Sequence, residues 1–341
     1  MIKHITFFSR SLLFFILLLS ITSCNKQIDL DNSASGNLKA LWHLIDEHYC
    51  FLEYKQIDWD SVYNAFIPRV KDPISNEALL DIMDEMLDLL QDGHVNVSAG
   101  FNTARYWEWF ENYPENFDYK VQKNYLSTDY AIAGGIKYKI LDDNVGYLYY
   151  ASFNSAVSSN SMDHILNNLD LCNGIIIDIR DNGGGNLSNV HTIASAFTDK
   201  KVLTGYICHK RSGKHDDFSD PYPIYLEPRS KTTFNFYKPV IVLTNRHCYS
   251  AANDFVNTMK QLPNVTIIGD KTGGGSGLPF SSELPNGWSV RFSSSPIYDP
   301  QMNHIEFGIL PDVKVDMDST DIHNGIDTII ETAREYIAKQ S

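Results

Sequence analysis

Apolar residues follow two patterns along this chain of 341 residues, and the change between them divides it. In the N-terminal part they recur at helical spacing. Leu38, Leu41, Trp42 and Ile45 share one face of a helix predicted over 38–49, and a second helix is expected after Asp58, a good N-cap. A third, over 77–90, places Leu79, Met83, Met86, Leu87 and Leu90 on one stripe, with Gly93 expected as its left-handed terminator. From Val145 onward, short runs rich in β-branched residues alternate with amphipathic stretches. Strands are predicted at 145–152, 175–179, 202–208, 240–243 and 265–268, and helices at 162–169, 187–197 and after Ser250. That alternation predicts an α/β layered core. A last amphipathic segment, 326–338, packs on it or caps it.

Two of the strand-to-helix junctions carry candidate chemistry. After the apolar run 239–243 the chain turns and starts a helix at Ser250, followed by Ala251, Ala252 and Phe255. Unpaired N–H groups and the positive end of the helix dipole would stabilise an oxyanion formed beside that hydroxyl, although an N-cap serine needs no such role. The strand 175–179 ends at Asp178 and Arg180 and runs into Gly183-Gly184-Gly185. Three glycines let backbone approach a ligand closely and can aim N–H groups at a carbonyl. The turn lacks the Gly-Lys-Ser/Thr ending of a phosphate loop and the spacing of a dinucleotide fingerprint, which argues against a nucleotide.

The segments 145–153, 177–185, 249–252, 268–274 and 308–312, in that order, resemble the tail-specific, C-terminal-processing serine peptidases. The resemblance implies a crotonase/Clp-protease-like α/β core behind a small N-terminal helical domain, with serine-type endopeptidase activity on unfolded or C-terminal polypeptide segments. It implies Ser250 as nucleophile, with Ala251 and Gly183 or Gly184 supplying the oxyanion-hole N–H groups. In one branch of the family a lysine serves as base; here Gly275 stands at that position. The other branch, similar to the tricorn core and to the repeats of interphotoreceptor retinoid-binding protein, takes a histidine just after the helical domain. Gln91-Asp92-Gly93-His94 supplies one. The resemblance therefore implies His94 as general base, an imidazole being able to take the serine proton and return it to the leaving amine. The local rival is His247. Glu306, before the Gly308-Ile309-Leu310-Pro311-Asp312 segment, is implied as the acid that orients His94, one residue later than the family places it. The tricorn-like serine preceding the histidine is replaced by Gly93, so its hydroxyl is absent or supplied by solvent.

The N-terminus bears on location. Lys3 and Arg10 flank an apolar segment too short to span a membrane but suited to a secretory signal, and Ile21-Thr22-Ser23-Cys24 resembles a bacterial lipobox. Cleavage before Cys24 and its lipidation would tether the protein to the bacterial cell envelope through a polar linker, on the periplasmic or surface side. Loss of residues 1–23 takes the net charge from −14 to −16 and makes nucleic acid an improbable partner, since phosphate binding needs a basic surface. Cys50, Cys172, Cys208 and Cys248 show no C-x-x-C spacing, so no metal site or redox dithiol is indicated and no cofactor is expected. Cys248 is a possible rival to Ser250, but small apolar packing is the commoner fate of such a residue.

The organisation expected is a signal peptide (1–23), a lipidated cysteine and tether (24–36), a helical domain (37–100), an aromatic connecting segment (101–143), the α/β peptidase domain (144–318) and a C-terminal helix (319–341). The connecting segment is too short for a PDZ domain, and its aromatics are expected to pack between domains. The substrate expected is a polypeptide, and oligomeric state is not legible. Two alternatives stay open: a catalytically weak relative that binds a hydrophobic ligand or peptide, and a hydrolase of non-peptide esters or amides.

Overall fold

The computed structural model describes residues 31–71, 73–229 and 234–340; the expected signal segment and Cys24 lie outside them. Thirteen strands are described: β1 Asn96–Ser98, β2 Thr103–Arg105, β3 Ala131–Ala133, β4 Ile136–Ile140, β5 Val145–Tyr149, β6 Gly174–Asp178, β7 Val202–Ile207, β8 Tyr222–Leu226, β9 Val240–Thr244, β10 Val265–Gly269, β11 Gly277–Glu283, β12 Ser289–Tyr298 and β13 Val313–Lys314.

The three N-terminal helices form where their stripes and caps predict. Ala34–His48, Trp59–Phe66 and Asn76–Asp88 are capped by Ser33, Asp58 and Ser75, each accepting a backbone N–H. Their inward faces share a core with Trp288, Val290 and Phe292, so the helical region packs directly on the strand β12. The left-handed residue after the third helix is Gln91, at φ 48°, and not Gly93. Gly93 is required for a different reason: a Cβ there would stand 2.7 Å from Trp109 Nε1 and 3.1 Å from the Tyr249 hydroxyl.

The seven-stranded sheet has the order β13-β10-β9-β6-β5-β4-β3, parallel from β13 to β5 and antiparallel from β5 to β3. Ile175, Ile177, Val240 and Val242 pack on one face with the helices Ser159–Leu169, Leu187–Ala194 and Ala251–Met259. Ile176, Ile241 and Leu243 pack on the other, with the helix Thr328–Gln340. Alternate side chains enter opposite cores, which is why these strands read as unbroken apolar runs. β6 and β9 are neighbours with Asp178 opposite Leu243. The glycine turn and the Ser250 turn therefore leave the carboxyl edge of the sheet side by side, where α/β sheets place their ligands. A six-stranded sheet, β2-β1-β12-β7-β8 with β11 on β12, stands against this edge.

Arg180, fully buried, fastens that edge. Its guanidinium donates to both Asp178 oxygens, at 2.9 and 2.7 Å, and to both Asp327 oxygens, at 3.0 and 2.9 Å. Asp327 also accepts the N–H groups of Ile329 and Ile330 at the start of the last helix. Removing Asp327 leaves Arg180 paired with Asp178 but takes two buried acceptors from the guanidinium, so Asp327→Ala is expected to cost about 2–3 kcal/mol, read from the urea midpoint. A loss below about 1 kcal/mol would show that water reaches the guanidinium.

Candidate active site

Ser250 occupies the N-cap of Ala251–Met259 but does not cap it. Its backbone sits at φ 57°, ψ −120°, a region costly for a residue with a Cβ, and its hydroxyl makes no cap hydrogen bond. Surrounding backbone imposes the conformation: Tyr249 N–H donates to Asn182 O, Ser250 N–H to Gly274 O, and Ser250 O accepts from Asp254 N–H. A strained serine between a strand and a helix presents its Oγ outward with no intrahelical duty, which is the posture of a nucleophile. The ordinary N-cap reading is thereby excluded.

The glycine turn lies against it. A Cβ on Gly184, at φ 97°, would stand 2.9 Å from Ser250 Cβ and 2.8 Å from Ala251 N, so only glycine fits. Gly184 N–H itself donates to Asn182 Oδ1 at 3.0 Å. That removes it from the pair of N–H candidates and leaves Gly183 and Ala251, whose N–H groups have no acceptor among the described residues. Gly185, not anticipated from sequence, also has an uncommitted N–H and lines a cavity of about 80 Å³ with Ser250 and Ala251.

His94 is buried, with its ring 5.0 Å from that of Tyr249, the residue before the nucleophile. Its Nδ1 lies 3.5 Å from Ser293 Oγ on β12. No hydrogen bond joins His94 to Ser250 among the described residues. Burial first, and then Arg291, Arg105 and Lys55, push the imidazole down to about 4 against the attraction of Asp92. At neutral pH it is an uncharged base. The rivals point elsewhere. His247 packs on Phe110 and lies 3.6 Å from Asp181 Oδ1, while Cys248 is fully buried, donates to Ile179 O, and has its thiol pushed up by burial. Among the described residues the four cysteines, Cys50, Cys172, Cys208 and Cys248, are free and buried.

The profile of peptidase family S41 matches residues 144–315, half of the chain, and that of the tricorn protease C1 domain matches residues 31–88. The chain belongs to peptidase family S41. It is 27% identical over 180 residues to the carboxy-terminal processing protease CtpA of Bacillus subtilis, an alignment covering 52% of this chain and 36% of CtpA. A peptidase candidate of known structure from Parabacteroides merdae is 51% identical with a TM-score of 0.87, over 90% of this chain and 97% of that one. Mature CPAF, 12% identical, shares the fold at a TM-score of 0.69 over 89% and 96% of the two chains. The expected layered α/β core with N-terminal helices is thus an S41 fold.

Within this S41 site the acid differs from the sequence expectation in its contacts. Glu306 is buried, accepts from Lys55 Nζ at 3.0 Å and from Ser276 N–H at 2.8 Å, and makes no hydrogen bond to His94. Burial pushes its carboxyl up to about 7 even with Lys55 beside it. Asp92 is the carboxylate whose charge raises the imidazole: it accepts from the His94 backbone N–H at 2.8 Å, from the Tyr249 hydroxyl at 3.2 Å and from the Tyr49 hydroxyl at 3.1 Å. Burial alone would raise Asp92; Lys55, His94 and hydrogen bonds outweigh it and hold the carboxyl below the ordinary range. Lys55 Nζ also donates to Tyr49 Oη, so Lys55, Tyr49 and Asp92 link Glu306 to the His94 backbone N–H. With Gly93 before the histidine, the hydroxyl beside the imidazole is that of Ser293, 3.5 Å from His94 Nδ1. The expected aromatic segment closes the rear of the site, with Trp109 4.2 Å from Tyr249 and Arg246 3.7 Å over Tyr113.

Proposed function

We propose that this chain is a serine-type endopeptidase in which Ser250 attacks a peptide carbonyl. His94 takes the proton, and Gly183, Gly185 and Ala251 offer N–H groups to the oxyanion. The observation that carries this reading is the enforced φ of 57° at Ser250, with a free hydroxyl beside uncommitted N–H groups at the carboxyl edge of β6 and β9. Its substrates are unfolded or C-terminal polypeptide segments, in line with the family. A fluorophosphonate probe should label the wild-type protein and casein should be cleaved; absence of both would remove the proposal.

Membrane tethering through Cys24 belongs to the same reading and rests on the lipobox-like ending Ile21-Thr22-Ser23-Cys24. Cells fed a labelled fatty acid should incorporate it into the wild-type protein and not into Cys24→Ala, with the protein in the envelope fraction.

The second reading, a binding protein for a hydrophobic ligand or peptide, is favoured by one observation: His94 is not hydrogen-bonded to Ser250. Base and nucleophile often meet only when substrate is bound, so probe labelling, which needs an activated serine, separates the two.

A further inference from the structure

The cavity beside Ser250 has walls that are mostly apolar, from Leu187, Leu278, Pro279, Ile297 and Ile305. One anionic group lines it. Asp254 lies a helical turn beyond the nucleophile, its N–H donating to Ser250 O at 3.0 Å. Its carboxylate forms no hydrogen bond and no ion pair among the described residues, and partial burial beside the apolar walls raises it to about 6. The cavity's cation, Arg291, is felt by His94 and forms no ion pair with Asp254. A half-buried carboxylate that faces a mostly apolar cavity without a protein donor is left to whatever fills the cavity, and a structural role would have supplied a donor.

We propose that Asp254 makes this cavity a subsite for a cationic side chain, lysine or arginine, flanking the scissile bond. The proposal rests on the peptidase reading and names its substrate class. The methylene stem would lie along the apolar walls while the ammonium or guanidinium meets the carboxylate. Substrates carrying a neutral residue there would leave Asp254 stranded, and acidic ones would be repelled.

The test uses internally quenched peptides of Gly, Ala and Ser with one lysine, arginine, norleucine or glutamate, their cleavage sites read by mass spectrometry. Norleucine keeps the stem of lysine and lacks the charge. Lysine and arginine peptides should be cut next to the cation with kcat/KM at least about tenfold above the norleucine peptide, as expected for a charge-assisted hydrogen bond. Asp254→Asn should erase that difference. Equal rates for lysine and norleucine in the wild type, or a preference that survives Asp254→Asn, overturn the subsite and leave the peptidase reading intact. If the wild type cuts no peptide and takes no fluorophosphonate, the peptidase reading fails, and binding of the lysine and norleucine peptides to Ser250→Ala decides the subsite. An Asp254-dependent preference upholds it, and equal affinities overturn it.

Discussion

Ser250→Ala should abolish fluorophosphonate labelling and lower kcat/KM by on the order of 10⁴–10⁶, leaving only what the oxyanion donors and binding contribute. The fold should survive, because the hydroxyl makes no hydrogen bond that the variant would lose. The companion change Ser250→Gly separates chemistry from strain. It also abolishes activity, but it removes the Cβ from a backbone held at φ 57°. Relative to alanine it should raise stability by about 1 kcal/mol, the lower end of the cost of such a conformation. Thermal unfolding of the two inactive variants measures that difference directly. A glycine variant no more stable than the alanine one would mean that the turn relaxes once the hydroxyl is gone, and the strained-nucleophile argument would lose its support.

Much of this arrangement was legible from the chain, and the division between what was and was not has a physical cause. β5, β6, β9 and β10 are buried on both faces, so they announce themselves as apolar runs, and the turns that follow them carry Ser250 and the glycines. β12 does not. Its sequence, Ser-Val-Arg-Phe-Ser-Ser-Ser-Pro-Ile-Tyr, mixes faces and carries three serines in a row, and it gave no strand signal although it brings Ser293 to His94. The helix 77–90 was readable by its stripe, but its end was assigned to Gly93 because glycine is the usual left-handed residue. Gln91 takes that conformation, and the glycine is there to make room for Trp109 and Tyr249. Asp92, like Ser293, carries no local signal of its role. Its partners Tyr49, Tyr249 and Ser293 are far apart in sequence, and the loop position alone gave no sign that the carboxylate is buried.

Asp92→Asn is expected to lower kcat/KM by on the order of 10³–10⁴, while Glu306→Gln should stay within about tenfold of wild type. In the proposed mechanism His94 accepts the serine proton and becomes a cation in a buried site, and the anion that stabilises it most must be both close and ionised. Asp92 meets both conditions, its charge being the one that raises the imidazole, while Lys55 and its hydrogen bonds hold it ionised. Glu306 meets neither, being spent on Lys55 and Ser276 and lifted by burial to about 7. Asparagine keeps one oxygen for the His94 backbone N–H and the Tyr249 hydroxyl and turns its amide N–H toward the Tyr49 oxygen, so the variant should fold. A pH profile distinguishes a role in catalysis from one in packing. With His94 near 4, the base is deprotonated above that pH, and the acid limb of kcat/KM in the wild type should lie near pH 4, well below an ordinary histidine. Asp92 is the group that raises His94, so its loss should move the limb lower still, whereas a merely structural loss would reduce stability and leave the limb in place. Should Glu306→Gln carry the larger loss and shift the limb instead, the Lys55 network must rearrange when substrate binds, bringing Glu306 to the imidazole as the family resemblance implies.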